Sequence, residues 1–307
     1  MTTEQYEKNL CVPEGMIDVV LDTDAFNEID DQFAIAYMMM HKGDKLNVKA
    51  ICAAPFSHVG TPPELGLEQS YNEIIKLLEL MDMPDKGDIV FKGANKFLKD
   101  EKTPYVTPAS SEMARLAHFY SPDKPLYLVA IGAITNVASA ILMDECVKEN
   151  CVLVWLGGHA HHWDKGANEY NMTQDIAAAR VVLDSKIPMV QLPCMGVVDR
   201  FLTTKPELEY WLKGKNKISD YLCANTIAAA ERYASGKPWS RVIWDVTAIG
   251  WLLNDNDRFM SHKCVPAPIP EYDKTYSFDE QRHLIRYITH IDRDALFCDL
   301  FKTLADE

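Results

Sequence analysis

Short, almost continuously apolar runs alternate along the chain with segments whose apolar residues recur at helical spacing. Met16–Leu21, Val48–Ala53, Ile89–Phe91, Leu126–Ile131, Cys151–Leu156 and Met189–Leu192 read as strands. Between them, Asp30–Met40, Leu65–Met81, Ser110–Phe119, Thr135–Leu142 and Asp175–Leu183 read as helices. Strand runs without polar alternation are expected where helices cover both faces of a sheet. The β-α alternation therefore predicts an α/β fold: an open, mostly parallel sheet with helices on both faces and a Rossmann-like core. The second half is more helical, over Ile218–Tyr233 and Val246–Leu253. A late strand, Leu284–Thr289, precedes a C-terminal helix, Asp292–Leu304. The Pro-containing stretch Val265–Tyr276 reads as a loop, too short for a linker. No repeat or low-complexity segment interrupts the pattern, so residues 1–307 are expected to form a single domain.

Composition narrows the function classes. Of 307 residues, 48% are hydrophobic and 25% charged, which excludes global disorder and supports a sizeable core. The balance of 31 Lys+Arg against 45 Asp+Glu gives a net charge of -14. Such a surface repels nucleic-acid polymers and anionic membranes, although a single nucleoside is not excluded. No apolar run approaches the roughly 20 residues of a membrane span. The N-terminus, MTTEQYEKNLCVPEG, has no signal-peptide apolar region, so a cytoplasmic setting is expected. Eight cysteines form no C-x-x-C and read as reduced, mostly buried thiols, neither a disulfide frame nor a zinc site.

In parallel sheets, ligands bind beyond the carboxyl ends of the strands. The first strand leads there into Asp22-Thr23-Asp24-Ala25-Phe26-Asn27-Glu28-Ile29-Asp30-Asp31, five carboxylates in ten residues. Acidic residues at a helix start stabilise it by about 0.3–1 kcal/mol each, which alone accounts for Asp30 or Asp31. It does not account for Asp22 and Asp24. Carboxylates converging at a strand end repel one another unless a cation neutralises them. An oxygen-rich cluster suits a hard cation, Ca²⁺ or Mg²⁺. The plainer alternative is helix capping within a solvated acidic loop.

An Asp-x-Asp after a first strand resembles two families. The haloacid dehalogenase-like phosphatases carry D-x-D-x-[TV], with the first Asp as nucleophile and Mg²⁺ bound. Here Phe26 occupies the fifth position, and no later G-D-x-x-x-D follows. The inosine–uridine-type nucleoside hydrolases carry D-T-D-P-G-x-D-D-A. This chain has D-T-D and then I-D-D-Q-F-A, with Ala25–Ile29 replacing the shorter turn. Four later segments resemble the same family in order. They are Lys92-Gly93-Ala94-Asn95-Lys96; Leu126–Ile131 with Gly132-Ala133-Ile134-Thr135-Asn136-Val137-Ala138; Trp155-Leu156-Gly157-Gly158 with Glu169-Tyr170-Asn171; and Trp244-Asp245-Val246-Thr247-Ala248. Read alone, the second of these is a strand–turn–helix junction with Thr135 or Asn136 as helix cap.

The second resemblance implies a ribonucleoside N-glycosidase that releases ribose and a free nucleobase. It implies Ca²⁺ held by Asp24, Asp31, the Ile131 carbonyl and Asp245, with Asp24 as general base. It assigns ribose hydroxyls to Asp30, Glu169 and Asn171, and a supporting place behind the metal to Asp22. A His common in the family is Trp244 here, able to stack on a base but not to protonate it. His159, His161, His162 and Trp163 lie in a nearby loop and could help the leaving base, or could simply face solvent; His58 is a further candidate. The resemblance also implies a homodimer or homotetramer. The rival readings are a non-catalytic nucleoside- or ribose-binding protein and a Mg²⁺-dependent phosphatase using Asp22.

Overall fold

The computed structural model describes residues 1–41 and 45–306. Six parallel strands carry the first two-thirds of the chain: β1 (Ile17–Thr23), β2 (Leu46–Ala53), β3 (Val90–Lys92), β4 (Leu126–Ala130), β5 (Cys151–Leu156) and β6 (Met189–Leu192). A ribbon of β7 (Leu202–Thr204) and β8 (Ser240–Val242) follows, then β9 (Met260–Pro266). A short hairpin of β10 (Ile269–Pro270) and β11 (Tyr276–Ser277) precedes β12 (Leu284–Ile291). The main sheet has eight strands in the order β3-β2-β1-β4-β5-β6-β12-β9. Its pairings are parallel except that of β9, which lies antiparallel to β12 at the edge.

Strand order fixes where a ligand can bind. The chain steps outward from β1 through β2 to β3, then returns to place β4 on the other side of β1. At that reversal the connections after β1 and β4 leave toward opposite faces. A crevice opens between the two carboxyl ends.

Two hydrophobic cores sandwich the sheet, as the apolar strand runs require. Val19 and Leu21 of β1 enter one core, and Val20 enters the other. The helices are α1 (Thr3–Asn9), α2 (Asp30–Met40), α3 (Pro63–Leu80), α4 (Pro108–Ala117), α5 (Thr135–Met143) and α6 (Glu145–Asn150). They continue as α7 (Tyr170–Gln174), α8 (Ile176–Asp184), α9 (Lys205–Leu212), α10 (Lys217–Ala234), α11 (Val246–Leu252) and α12 (Arg293–Ala305). Residues of α2, α3 and α9 to α12 build the Leu21 core, and residues of α4, α5, α6 and α8 build the Val20 core.

The α/β class and the expected central strands are present. Differences concentrate where polarity masks an element. β1 runs two residues past its apolar stretch, because Asp22 and Thr23 keep their ladder pairing with Cys52 and Ala53. Asp22 therefore sits inside the strand rather than after it. Val265–Tyr276 is not simply a loop: it takes in the end of β9, all of β10 and the first residue of β11. β9 is an edge strand with several exposed polar residues, so it lacks a buried run to betray it. The short helices α1, α6, α7 and α9 were equally silent in the periodicity, being too brief for a repeating stripe.

Leu153 lies fully buried in the middle of β5, between β4 and β6. Leu153→Ala is expected to cost about 2–5 kcal/mol of unfolding free energy in a denaturant titration, from lost burial and the cavity left behind.

Candidate active site

Beyond the carboxyl ends of β1 and β4, the chain closes a cavity of about 290 Å³. Asp24, Asp30, Asp31 and Asp245 line it, and each is at most 3% exposed. Asp24 follows β1 directly. Asp30 and Asp31 form the first turn of α2, where the N-terminal backbone favours negative charge. Asp245 immediately precedes α11, about two hundred residues later in the sequence. One carboxylate oxygen each from Asp30, Asp31 and Asp245 lie within 4.8 Å of one another.

Four buried acids this close are electrostatically costly. Burial, followed by the charges of Asp31 and Asp30, pushes the Asp24 carboxyl well above the ordinary range. Burial with Glu28 and Asp31 does the same to Asp30, and burial with Asp30, Asp31 and Asp24 to Asp245. Asp31 is pushed up to about 7 by burial, although the Thr23 hydroxyl donates to its Oδ1 at 2.5 Å and it shares a hydrogen bond with Asp245. Asp24 Oδ2 and Asp30 Oδ1 are buried without any hydrogen-bond partner. Orphaned buried oxygens and an all-oxygen donor set are what a hard divalent cation needs, so the residues fit such an ion.

The supporting shell is equally specific. Asp22 stands behind the cavity and does not line it; its Oδ1 accepts from Asn136 Nδ2 at 2.8 Å. Burial pushes its carboxyl up to about 7 despite that bond. Asn136 also takes the Ala94 N–H on its Oδ1 at 2.8 Å, tying the end of β1 and the loop after β3 to the start of α5. Thr135 Oγ1 donates to Asp175 Oδ2 at 2.7 Å. Neither Thr135 nor Asn136 caps α5, contrary to the expectation for that junction. Gly132 lets β4 approach the acids, since a Cβ there would stand 2.7 Å from Asp24 Oδ1.

The opposite wall carries Glu169 and Asn171. Glu169 caps α7 and accepts the backbone N–H groups of Gly158, Asn171 and Met172 at 2.8–3.0 Å. Gly158 reaches it with φ +77°, where a Cβ would also collide with the Tyr276 hydroxyl. Asn171 Nδ2 donates to the carbonyls of Ile131 (3.1 Å) and Leu156 (3.0 Å). Both of its amide hydrogens are thus committed, and only Oδ1 remains to meet a ligand.

Trp244 and Ile131 line the cavity, as does His159 alone among the five aromatic and histidine candidates. His159 Nδ1 accepts the Met195 N–H at 3.3 Å, and burial lowers its pKa, so the ring is neutral at pH 7. The other four stand apart. His58 is exposed, in a tight bridge with Thr61 that turns it outward. His161 is caged by Tyr276, Phe278 and Tyr287. His162 and Trp163 are exposed, Trp163 meeting the edge of His159 at 6.1 Å.

Sequence reasoning overlooked Asn27, Glu28, Tyr170 and Cys194, which also line the cavity. Asn27 and Glu28 come from the lengthened turn after Asp24. Tyr170 Oη faces Asn27 Oδ1 at 3.2 Å, and Glu28 pairs with Arg241 at 3.0 Å. Only their place beside the recognised acids could have signalled them. Among the described lining residues there is no Lys or Arg.

The family model for inosine-uridine preferring nucleoside hydrolase matches residues 19–297. No curated protein matches the sequence. Among solved structures, a plant nucleoside hydrolase superposes with a TM-score of 0.74 at 17% identity, covering 95% of this chain and 99% of that one. A purine-preferring ribonucleoside hydrolase from Gardnerella vaginalis gives 0.75 at 16%, covering 94% and 98%. An inosine-uridine preferring nucleoside hydrolase from Bacillus anthracis gives 0.70 at 14%, covering 95% and 100%.

Two outcomes are expected of this geometry. Raised carboxyl pKa values mean that the folded protein holds protons the unfolded chain has released by about pH 4. In chelator, stability should therefore fall as pH rises from about 4 through about 7. Thermal unfolding should show Ca²⁺ restoring more stability at pH 8 than at pH 5; equal gains at both pH values contradict the cluster as a cation site. Gly132→Ala should displace Asp24, weakening that Ca²⁺ stabilisation by about tenfold in apparent affinity while the far-ultraviolet circular dichroism stays unchanged.

Proposed function

This chain belongs to the inosine-uridine preferring nucleoside hydrolase family, and from that premise we propose that it cleaves the N-glycosidic bond of ribonucleosides, with Asp24 as general base beside a bound Ca²⁺. The observation that carries the reading is the gathering of Asp24, Asp30, Asp31 and Asp245 in one buried cavity with Glu169 and Asn171 opposite.

Asp24, Asp31, Asp245 and the Ile131 carbonyl would hold the ion; the three acids whose oxygens lie within 4.8 Å of one another are Asp30, Asp31 and Asp245, so Asp30 would stand beside the ion as well. Bound there, a hard cation neutralises the acids and makes a water more acidic. Asp24, once ionised, would take a proton from the attacking water through its unpartnered Oδ2. Asp30 accepts from the ribose 2′-hydroxyl through Oδ1, which has no other partner. Asn171 meets an outer hydroxyl only as an acceptor, and Glu169 accepts another with the lone pairs that its three backbone donors leave. Fixing the ring in this way favours the oxocarbenium-like state reached as the base departs.

The base lies toward Trp244, which offers an apolar face. His159 lines the cavity and accepts the Met195 N–H on Nδ1; its second nitrogen would donate to the leaving base in exchange for its contact with the Asn168 backbone. The absence of the family's common His at Trp244 favours one rival, a protein that binds ribose without turnover. The phosphatase reading loses its nucleophile, since Asp22 is buried behind the cavity, and among the described lining residues no Lys or Arg is there to receive a phosphate. The same reading carries a cytoplasmic setting and a dimer or tetramer, which sizing of the purified protein tests.

A panel of purine and pyrimidine nucleosides, followed for reducing sugar, tests the proposal. Asp24→Ala should lower kcat by about 10²–10⁴-fold. Equal turnover by wild type and variant removes Asp24 as base. Ribose binding without release of any base selects the binding protein instead. Asp245→Asn should weaken Ca²⁺ binding, and unchanged affinity removes that residue from the metal site.

A further inference from the structure

At the opposite end of the sheet, three potential ligands of different chemistry converge. His118 closes α4, Asp144 joins α5 to α6, and Cys146 lies in the first turn of α6. A ring nitrogen of His118, a carboxylate oxygen of Asp144 and the sulfur of Cys146 lie within 4.8 Å of one another. His118 Nε2 stands 2.7 Å from Asp144 Oδ2, and His118 Nδ1 stands 3.6 Å from Cys146 Sγ. The geometry points to a second metal site here, for a borderline-soft divalent ion of the Zn²⁺ type.

The donor set argues for this class of ion. Thiolate, imidazole and carboxylate together suit Zn²⁺ and Co²⁺ better than the hard cations expected among the buried aspartates. The site is also partly assembled. The Cys146 N–H donates to Asp144 Oδ1 at 2.9 Å, which sets the carboxylate beside the thiol and leaves Oδ2 turned to the imidazole. His118 is 55% exposed and Asp144 29%, so an ion can enter from solvent and keep a water in its fourth position. One imidazole nitrogen must serve the ion, so ligation replaces the contact made by the other and needs a turn of the exposed ring. A bound ion would clamp α4 to the α5–α6 junction, where His118 and Asp144 now meet only in a solvent-exposed hydrogen bond. The sequence alone gave no hint, since twenty-six residues separate His118 from Asp144 and no metal-binding spacing links them.

Titration of the full-length, metal-free protein with Co²⁺ tests the site by its colour rather than by activity. Wild type should develop a near-ultraviolet sulfur-to-cobalt absorption that is saturable and is displaced by Zn²⁺. Cys146→Ser should abolish it, and His118→Gln should weaken Co²⁺ binding by about tenfold or more. Cys194→Ala should retain it, because Cys194 lies in the acidic cavity. Zn²⁺ should raise the Tm of wild type by more than that of Cys146→Ser, and circular dichroism checks that each variant is folded. No sulfur band in wild type, or an equal band in Cys146→Ser, overturns the site. A band lost in Cys194→Ala but kept in Cys146→Ser places the ion in the cavity and equally overturns it.

Discussion

Four carboxylates buried at one end of a parallel sheet set the terms for the rest of the molecule. Removing ionised acids from water is costly, and mutual repulsion adds to the cost. The chain bears it by stiffening everything around the cluster. The first turn of α2 faces Asp30 and Asp31 with backbone dipoles, Thr23 anchors Asp31, and Asn136 joins Asp22 to the loop after β3. Among the cavity acids, Asp24 Oδ2 and Asp30 Oδ1 stay unsatisfied, as does Asp22 Oδ2 behind them. An all-oxygen set of this kind suits a hard cation.

The sheet supplies the rigidity this requires. β1 and β4 are central, with pairing on both sides and hydrophobic cores above and below. Functional groups therefore leave strand ends that cannot shift independently. Two glycines permit the close approach: Gly132 beside Asp24, and Gly158 beside Glu169. The lengthened turn Ala25–Ile29 is the chain's own elaboration on this frame. It brings Asn27 and Glu28 to the cavity and ties them to Tyr170 and Arg241. Such rim residues line the cavity together with Trp244 and the acids.

The two ends of the sheet differ in chemistry as well as position. At the carboxyl end, oxygen donors are buried and preorganised. At the amino end, His118, Asp144 and Cys146 form an open group of mixed donors on short helices. Donor softness separates the ions suited to each.

The sequence by itself determined the α/β class, the central strands and the acids of the first strand end, because each is written in local pattern: continuous apolar runs, helical spacing, and carboxylates dense beyond what helix capping explains. It also named Asp245, Glu169 and Asn171 through resemblance. Tertiary structure alone decided the rest. It placed Asp22 behind the cavity rather than within it, turned His58 and His161 away while keeping His159, and spent both amide hydrogens of Asn171 on carbonyls. It also converted Asn136 from a helix cap into a cross-link, and revealed β9 as an edge strand. These facts depend on contacts between residues tens to hundreds apart. A side chain's direction there is set by its neighbours in space, on which local hydrophobic periodicity carries no information.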